Sequence, residues 1–294
     1  MEQNMDSQAL VADFCSRFDI RPAALPHTTA GHFEVVNPGQ KDLGDLVNKV
    51  WRKMSEEEID SSYIDYDPAA VFNLIRDYAR CGVLMNHFSE APALVNKIRE
   101  RLGGEVSVHN RDTYKAIHLH TQLGGINCEV QFHTFETYSL KQAEDISYQK
   151  WRKPMAEDKA AVLANPDYIE ERKVIRPLCQ TIYGRSGFDQ VLPEIAKLQA
   201  ANQPVPSMTH TSIGNIYRRS SQVQDQLMET VRAELTMASS KTAQEPASVL
   251  TKAEIDALLN GIATIHSDDD TITQEQMDDI LNMTGDTLES TNEK

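Results

Sequence analysis

The sharpest hydrophobic pattern in the chain runs from Ile126 to His133. Ile126, Cys128, Val130 and Phe132 alternate with Asn127, Glu129, Gln131 and His133. A period of two predicts a half-buried β-strand. The face opposite the apolar one carries a carboxylate, two amides and an imidazole, with no serine or lysine filler. Just upstream, Ala116 to Gln122 alternates in the same way. Ile117, Leu119 and Thr121 fall on one side, and Ala116, His118 and His120 on the other. Leu123-Gly124-Gly125 between the two runs predicts a tight turn. The strands then form a hairpin that shows His118 and His120 beside Glu129, Gln131 and His133. One polar face is ordinary for a wet sheet; two in register predict a site.

Around this hairpin the patterning predicts an α+β domain: a mixed β-sheet flanked by helices, then a helical segment and an acidic flexible tail. Leu10, Val11, Phe14 and Phe18 place a helix over Ser7 to Ile20, before a loop from Pro22 to Gly31. Leu43, Leu46, Val47, Val50 and Trp51 give an apolar stripe to a helix over Lys41 to Met54. Ser55 to Pro68 reads as an acidic loop, and Ala69 to Asp77 as a helix. Arg80 to Asn86 is a near-continuous apolar run, suited to a central strand. Ala91 to Leu102 predicts a helix ended by Gly103-Gly104, and Glu105 to His109 a short strand. Helices follow over Tyr138 to Lys153, Met155 to Val174 and Phe188 to Ala201. A long helix comes last, striped by Ile216, Val223, Leu227, Val231 and Leu235. Ala238 to Val249 has linker composition. The expected division is 1–38 as N-terminal helix and loop, 39–154 as core, 155–237 as helical segment and 238–294 as linker and tail.

Charge changes this picture only at the end of the chain. The formal net charge is −15, and from Lys241 onward three basic and twelve acidic residues carry −9 of it. The body is therefore close to balanced, which disfavours double-stranded DNA as a partner. No apolar run approaches the ~20 residues of a membrane span. Met1 to Leu10 lacks the pattern of a secretory signal. The four cysteines are far apart and form no CxxC pair. A cytoplasmic setting is expected, in the producing cell or in a target cell. Two tail segments beginning at Leu250 and Ile272 repeat a threonine, acids and an apolar trio at helical spacing. They read as docking elements for a protein partner or as a disordered solubilising tail.

The candidate chemistry gathers on three pieces: Asp77 with Arg80, Tyr114-Lys115 with His118, and Glu129 with Gln131 and His133. If the strands lie side by side, Asp77 and Glu129 converge on one end of the sheet. Two carboxylates there suit Mg²⁺ held against a triphosphate. Lys41, Lys49, Arg52, Lys53 and Arg80 offer a phosphate clamp, and Tyr114 a ring for a base to stack on.

At these residues the chain resembles the RelA/SpoT-type alarmone synthetases, pyrophosphate-transferring members of the nucleotidyltransferases, over roughly Gly39 to Arg152. C-E-V-Q-F-H-T, Cys128 to Thr134, is similar to the family's E-x-Q-x-[RH]-T strand, and Y-K-A-I-H, Tyr114 to His118, to the strand before it. K-D-L-G-D-L-V-N-K, Lys41 to Lys49, keeps the lysine spacing of the ATP-binding segment. The resemblance implies transfer of the β,γ-pyrophosphate of ATP to the 3′-hydroxyl of an acceptor nucleotide or RNA end. Asp77 and Glu129 would hold Mg²⁺, with Glu129 as alternative general base. Tyr114, His118, Gln131 and His133 would bind the acceptor, and Lys41, Lys49, Arg52, Lys53, Arg80 and Lys115 the ATP phosphates. Arginines of the commoner family pattern are replaced here by Gly39, Gly82 and His133. In a divergent toxin or effector branch, Arg80 and His133 would stand in for them. The tail segment E-I-D-A-L-L-N, Glu254 to Asn260, resembles a response-regulator-docking peptide of flagellar motor switch proteins. A nucleotide sensor on an inactive fold and an interaction protein working through its tail are the alternatives.

Overall fold

Alternation in the sequence becomes a five-stranded mixed sheet. In the computed structural model, which describes residues 7–21, 33–39 and 41–242, the strands are β1 (Glu34–Val36), β2 (Ala79–Met85), β3 (Glu105–Asn110), β4 (Lys115–Leu123) and β5 (Ile126–Thr134). Their order is β1-β2-β5-β4-β3. Only β2 and β5 run parallel. The turn between β4 and β5 uses Gly124 and Gly125 at φ 56° and 77°, the left-handed pair that a tight hairpin demands.

Register settles which residues share a face. Arg80 lies opposite Glu129, His120 opposite Glu129 on the other side, and His118 between Ser107 and Gln131. Arg80, Ser107, His118, His120, Glu129, Gln131 and His133 therefore share one face. The other face carries Cys81, Val83, Val106, Ile117, Leu119, Cys128, Val130 and Phe132, all buried. It packs on Leu94, Val95 and Ile98 of α5 (Ala91–Leu102) and on Ile216, Val223, Leu227 and Val231 of the last helix, α10 (Ile213–Thr242).

The remaining helices are α1 (Ser7–Arg17), α2 (Leu43–Glu56), α3 (Tyr63–Tyr66), α4 (Pro68–Asn73), α6 (Phe135–Glu157), α7 (Lys159–Leu163), α8 (Pro166–Arg185) and α9 (Phe188–Ala200). Residues Met1–Ala243 form one compact unit, and its core runs from Val11 of α1 to Leu235 of α10. The N-terminal helix and the helical segment after α6 thus share the core with the sheet. The Gln244–Lys294 unit, with the tail repeats, lies outside the described residues, as does the Pro22–Gly31 loop.

Several elements differ from the sequence expectation. The strand β5 is buried on both faces rather than one. The cause is α6, which Thr134 starts with a capping box directly after β5. This sends Phe135 and Tyr138 back over the polar side, where they cluster with Leu84 and Val36. The short edge strand β1 has too few residues to show a period. The helix before β2 ends at Asn73, not Asp77, because buried Ile75 and Tyr78 anchor an extended approach to the strand. The Ser55 to Pro68 loop contains α3. Instead of one helix from Met155, α6 ends at Glu157 and α7 and α8 start afresh, capped by Asp158 and by Asn165 ahead of Pro166. On α2 the buried residues are Leu46, Val50 and Met54, while Leu43 and Trp51 are exposed.

Candidate functional site

Two lysines and one carboxylate meet at the mouth of the sheet. Asp77 closes the extended approach to β2. Its Oδ2 accepts from the ammonium of Lys41 and its Oδ1 from that of Lys49. Lys49 projects from α2, and Lys41 stands just ahead of the Asp42 cap of that helix. Burial favours the neutral acid, but the two ammonium charges outweigh it and hold Asp77 below the usual carboxylate range. Desolvation acts on Lys41 the other way and brings it down to about 8, against the pull of Asp77. The Glu129 charge is near enough to oppose ionisation of Asp77.

Glu129 sits deeper, at the centre of the polar face. Burial again pushes its carboxyl up, and His118, His120 and a hydrogen bond from Gln131 overcome this, leaving Glu129 well below its ordinary value. Gln131 Nε2 donates to Glu129 Oε1 at 2.6 Å. The Nδ1 atoms of His118 and His120 lie 3.1 and 3.7 Å from Glu129 Oε2. Tyr114, in the β3–β4 loop, hydrogen-bonds through its hydroxyl to His118 Nε2 at 2.9 Å. Its ring lies 6.2 Å from that of His133.

His133 is fully buried, and among the described residues neither of its ring nitrogens has a hydrogen-bond partner. Burial first, then the Lys141 charge, keeps it neutral far below the usual imidazole value. It therefore brings hydrogen-bonding capacity and not the positive charge expected of an arginine substitute. Arg80 is better suited to that part. Its guanidinium donates to the Gly39 carbonyl at 3.0 Å, beside the position where the resembled family carries an arginine. Gly82, the other such position, is closed off: a Cβ there would lie 2.6 Å from Val36 Cγ2 and 3.8 Å from the Tyr138 ring.

The structure thus brings together Asp77, Lys41, Lys49, Arg80, Glu129, Gln131, His118, His133 and Tyr114. It leaves out three of the expected phosphate ligands. Arg52 and Lys53 both pair with Glu56 on their own helix. Lys115 pairs with Asp189 of α9 and lies 5.5 Å from the Phe188 ring centroid. At the first residue of a strand, alternation does not fix where a long side chain goes. His109 is a residue the sequence reading missed. Its ring centroid is 4.3 Å from that of His118, and period two from Ser107 would have put it on this face.

Surface hollows of ≈ 360 and ≈ 520 Å³ open elsewhere, one beside Gly103 and Gly104 and one between α1 and α8, and neither is lined by these residues. On the polar face the rings of Tyr114 and Tyr138 flank His133 instead, with centroids 6.2 and 5.8 Å from its own. Among the described residues no helix is long and apolar enough to cross a membrane. Comparison of the chain with protein-family models and with curated proteins finds no match.

Proposed function

We propose that the protein is an ATP-dependent pyrophosphokinase acting on the 3′-hydroxyl of a nucleotide or RNA end. The observation that carries this reading is the convergence of Lys41 and Lys49 on Asp77, with the Glu129 charge close by. Two cations beside two carboxylates supply both halves of a magnesium-triphosphate site. The motif resemblance between Tyr114 and Thr134 supports the same reaction. Mg²⁺ takes hard oxygen donors, and Asp77 and Glu129 fit it, since their neighbours hold both as anions. Bound there, Mg²⁺ would neutralise charge on the transferred phosphoryl oxygens.

In this mechanism Lys41 and Lys49 exchange the Asp77 carboxylate for triphosphate oxygens, and Arg80 adds a third cation from the Gly39 side. Tyr114 swings from His118 to stack on the acceptor base. Gln131 and His133 bind acceptor oxygens. Glu129 takes the proton of the 3′-hydroxyl as that oxygen attacks the β-phosphorus. The bond from the β-phosphorus to the α,β-bridging oxygen breaks, and AMP leaves.

A nucleotide sensor is the second reading. It is favoured by the closed state of the site, in which the lysines saturate Asp77 and Glu129 is 7% exposed. Incubation with γ-labelled ATP, Mg²⁺ and GDP, GTP, AMP, ADP, ATP or deacylated tRNA separates the two. Label moved to an acceptor by the wild type and lost in Glu129→Gln supports the enzyme. ATP binding by calorimetry without transfer to any acceptor supports the sensor. A cytoplasmic setting and a protein partner for the acidic tail belong to this proposal too. A chain ended after Ala243 should keep transfer and lose the partner.

A further inference from the structure

The polar face holds three clustered imidazoles, and the proposed transfer uses neither His109 nor His120. His109 at the end of β3, with His118 and His120 of β4, brings one ring nitrogen each into a group lying within 4.8 Å of one another. Among the described residues, the buried Nδ1 atoms of His118 and His120 have no hydrogen-bond partner of good geometry. Both face Glu129 Oε2, at 3.1 and 3.7 Å.

The outer atoms of His118, His120 and Glu129 are held. Tyr114 Oη lies 2.9 Å from His118 Nε2, and Ser107 Oγ lies 3.0 Å from His120 Nε2. Gln131 engages Glu129 Oε1, so Oε2 is the oxygen that faces the two imidazoles. Outer nitrogens fixed by hydroxyls and inner nitrogens left open are what orients imidazoles toward a metal.

We propose that His109, His118, His120 and Glu129 form a site for one borderline divalent transition ion of the Zn²⁺ type. Three imidazoles and one carboxylate oxygen make a usual four-coordinate Zn²⁺ set, and they are poor donors for Mg²⁺. Zn–N bonds of about 2.0–2.1 Å put ligand nitrogens about 3.4 Å apart in a tetrahedron. The cluster therefore closes by up to about 1.4 Å on binding. His109, half-buried at the end of an edge strand, supplies that movement. The site stands on geometry alone. One consequence rests on the proposed transfer reaction: an ion on Glu129 takes away the general base, so Zn²⁺ inhibits transfer.

Titration of metal-free full-length protein with Co²⁺, read by its visible absorption, followed by Zn²⁺ competition in a chelator buffer, tests the site. One equivalent is expected. His109→Ala and His120→Ala should each weaken binding at least about tenfold, and His210→Ala, away from the cluster, should not. Circular dichroism melts establish folding, and His109→Ala carries the test if His120→Ala does not fold. Absence of binding, or binding unchanged in His109→Ala, overturns the proposal. Zn²⁺ binding without transfer to any acceptor leaves this site standing and removes the enzymatic reading. Transfer without Zn²⁺ binding does the reverse.

Discussion

Lys49 of α2 and Asp77 at the approach to β2 are joined in an ion pair, and Lys41 completes it from the other carboxylate oxygen. The lysine side chains are only 20% and 21% exposed. Asp77→Asn leaves two ammonium groups facing each other without a counter-charge. Loss of one partner from such a part-buried pair should cost about 2 kcal/mol, measured as a lower urea midpoint at neutral pH. Lys49→Ala, which leaves the Lys41–Asp77 pair in place, should cost less.

The lowered value of Lys41, about 8, would give the proposed ATP binding a pH dependence. Lys41 loses its charge as pH rises through that value, so magnesium-ATP affinity should fall above about pH 8. Lys41→Arg keeps its charge throughout and should remove the fall. Calorimetric titrations across the alkaline range read both. An affinity that is flat through pH 8 in the wild type places Lys41 outside the phosphate site.

At Gly82 the packing opposes an arginine of the kind the resembled family carries there. Val36 and Tyr138 occupy the space above it, so Gly82→Arg does not restore a missing cation. It should instead destabilise the fold by roughly 2–3 kcal/mol through overpacking and lower transfer along with the melting temperature.

His133 is held at a cost to the fold, because two buried nitrogens go without partners. His133→Phe keeps a ring between Tyr114 and Tyr138 and removes the unsatisfied atoms. Stability should be unchanged or higher by up to about 1 kcal/mol, while acceptor binding weakens. The same burial sets an acid limit. His109, His120 and His133 all have lowered values, His109 to about 4. The unfolded chain binds protons at these rings below about 6.5, and the folded one resists. Stability is therefore complete above about pH 6.5 and is lost as pH falls toward about 4. His133→Phe should flatten that decline, seen in urea midpoints across this range.

The hairpin and its polar face were legible because period two survives along β4 and β5, and α5 was bounded by its own glycines. The register that pairs His118 with Gln131 follows from the same turn. What the sequence withheld depends on neighbours distant in the chain. The burial of His133 comes from α6 folding back over β5. The pairing of Lys115 with Asp189 and of Arg52 and Lys53 with Glu56 depends on side-chain direction, which charge patterning does not carry. His109 lay at a strand end, where one residue of boundary error hides the face it belongs to.

The nucleotide that ATP leaves behind distinguishes pyrophosphate transfer from phosphate transfer and from simple hydrolysis. Purified protein, ATP, Mg²⁺ and each acceptor are incubated, and AMP, ADP and the modified acceptor are quantified together. Pyrophosphate transfer gives AMP and pyrophosphorylated acceptor in equal amounts, both lost in Glu129→Gln. ADP in place of AMP, or AMP with no modified acceptor, would contradict it.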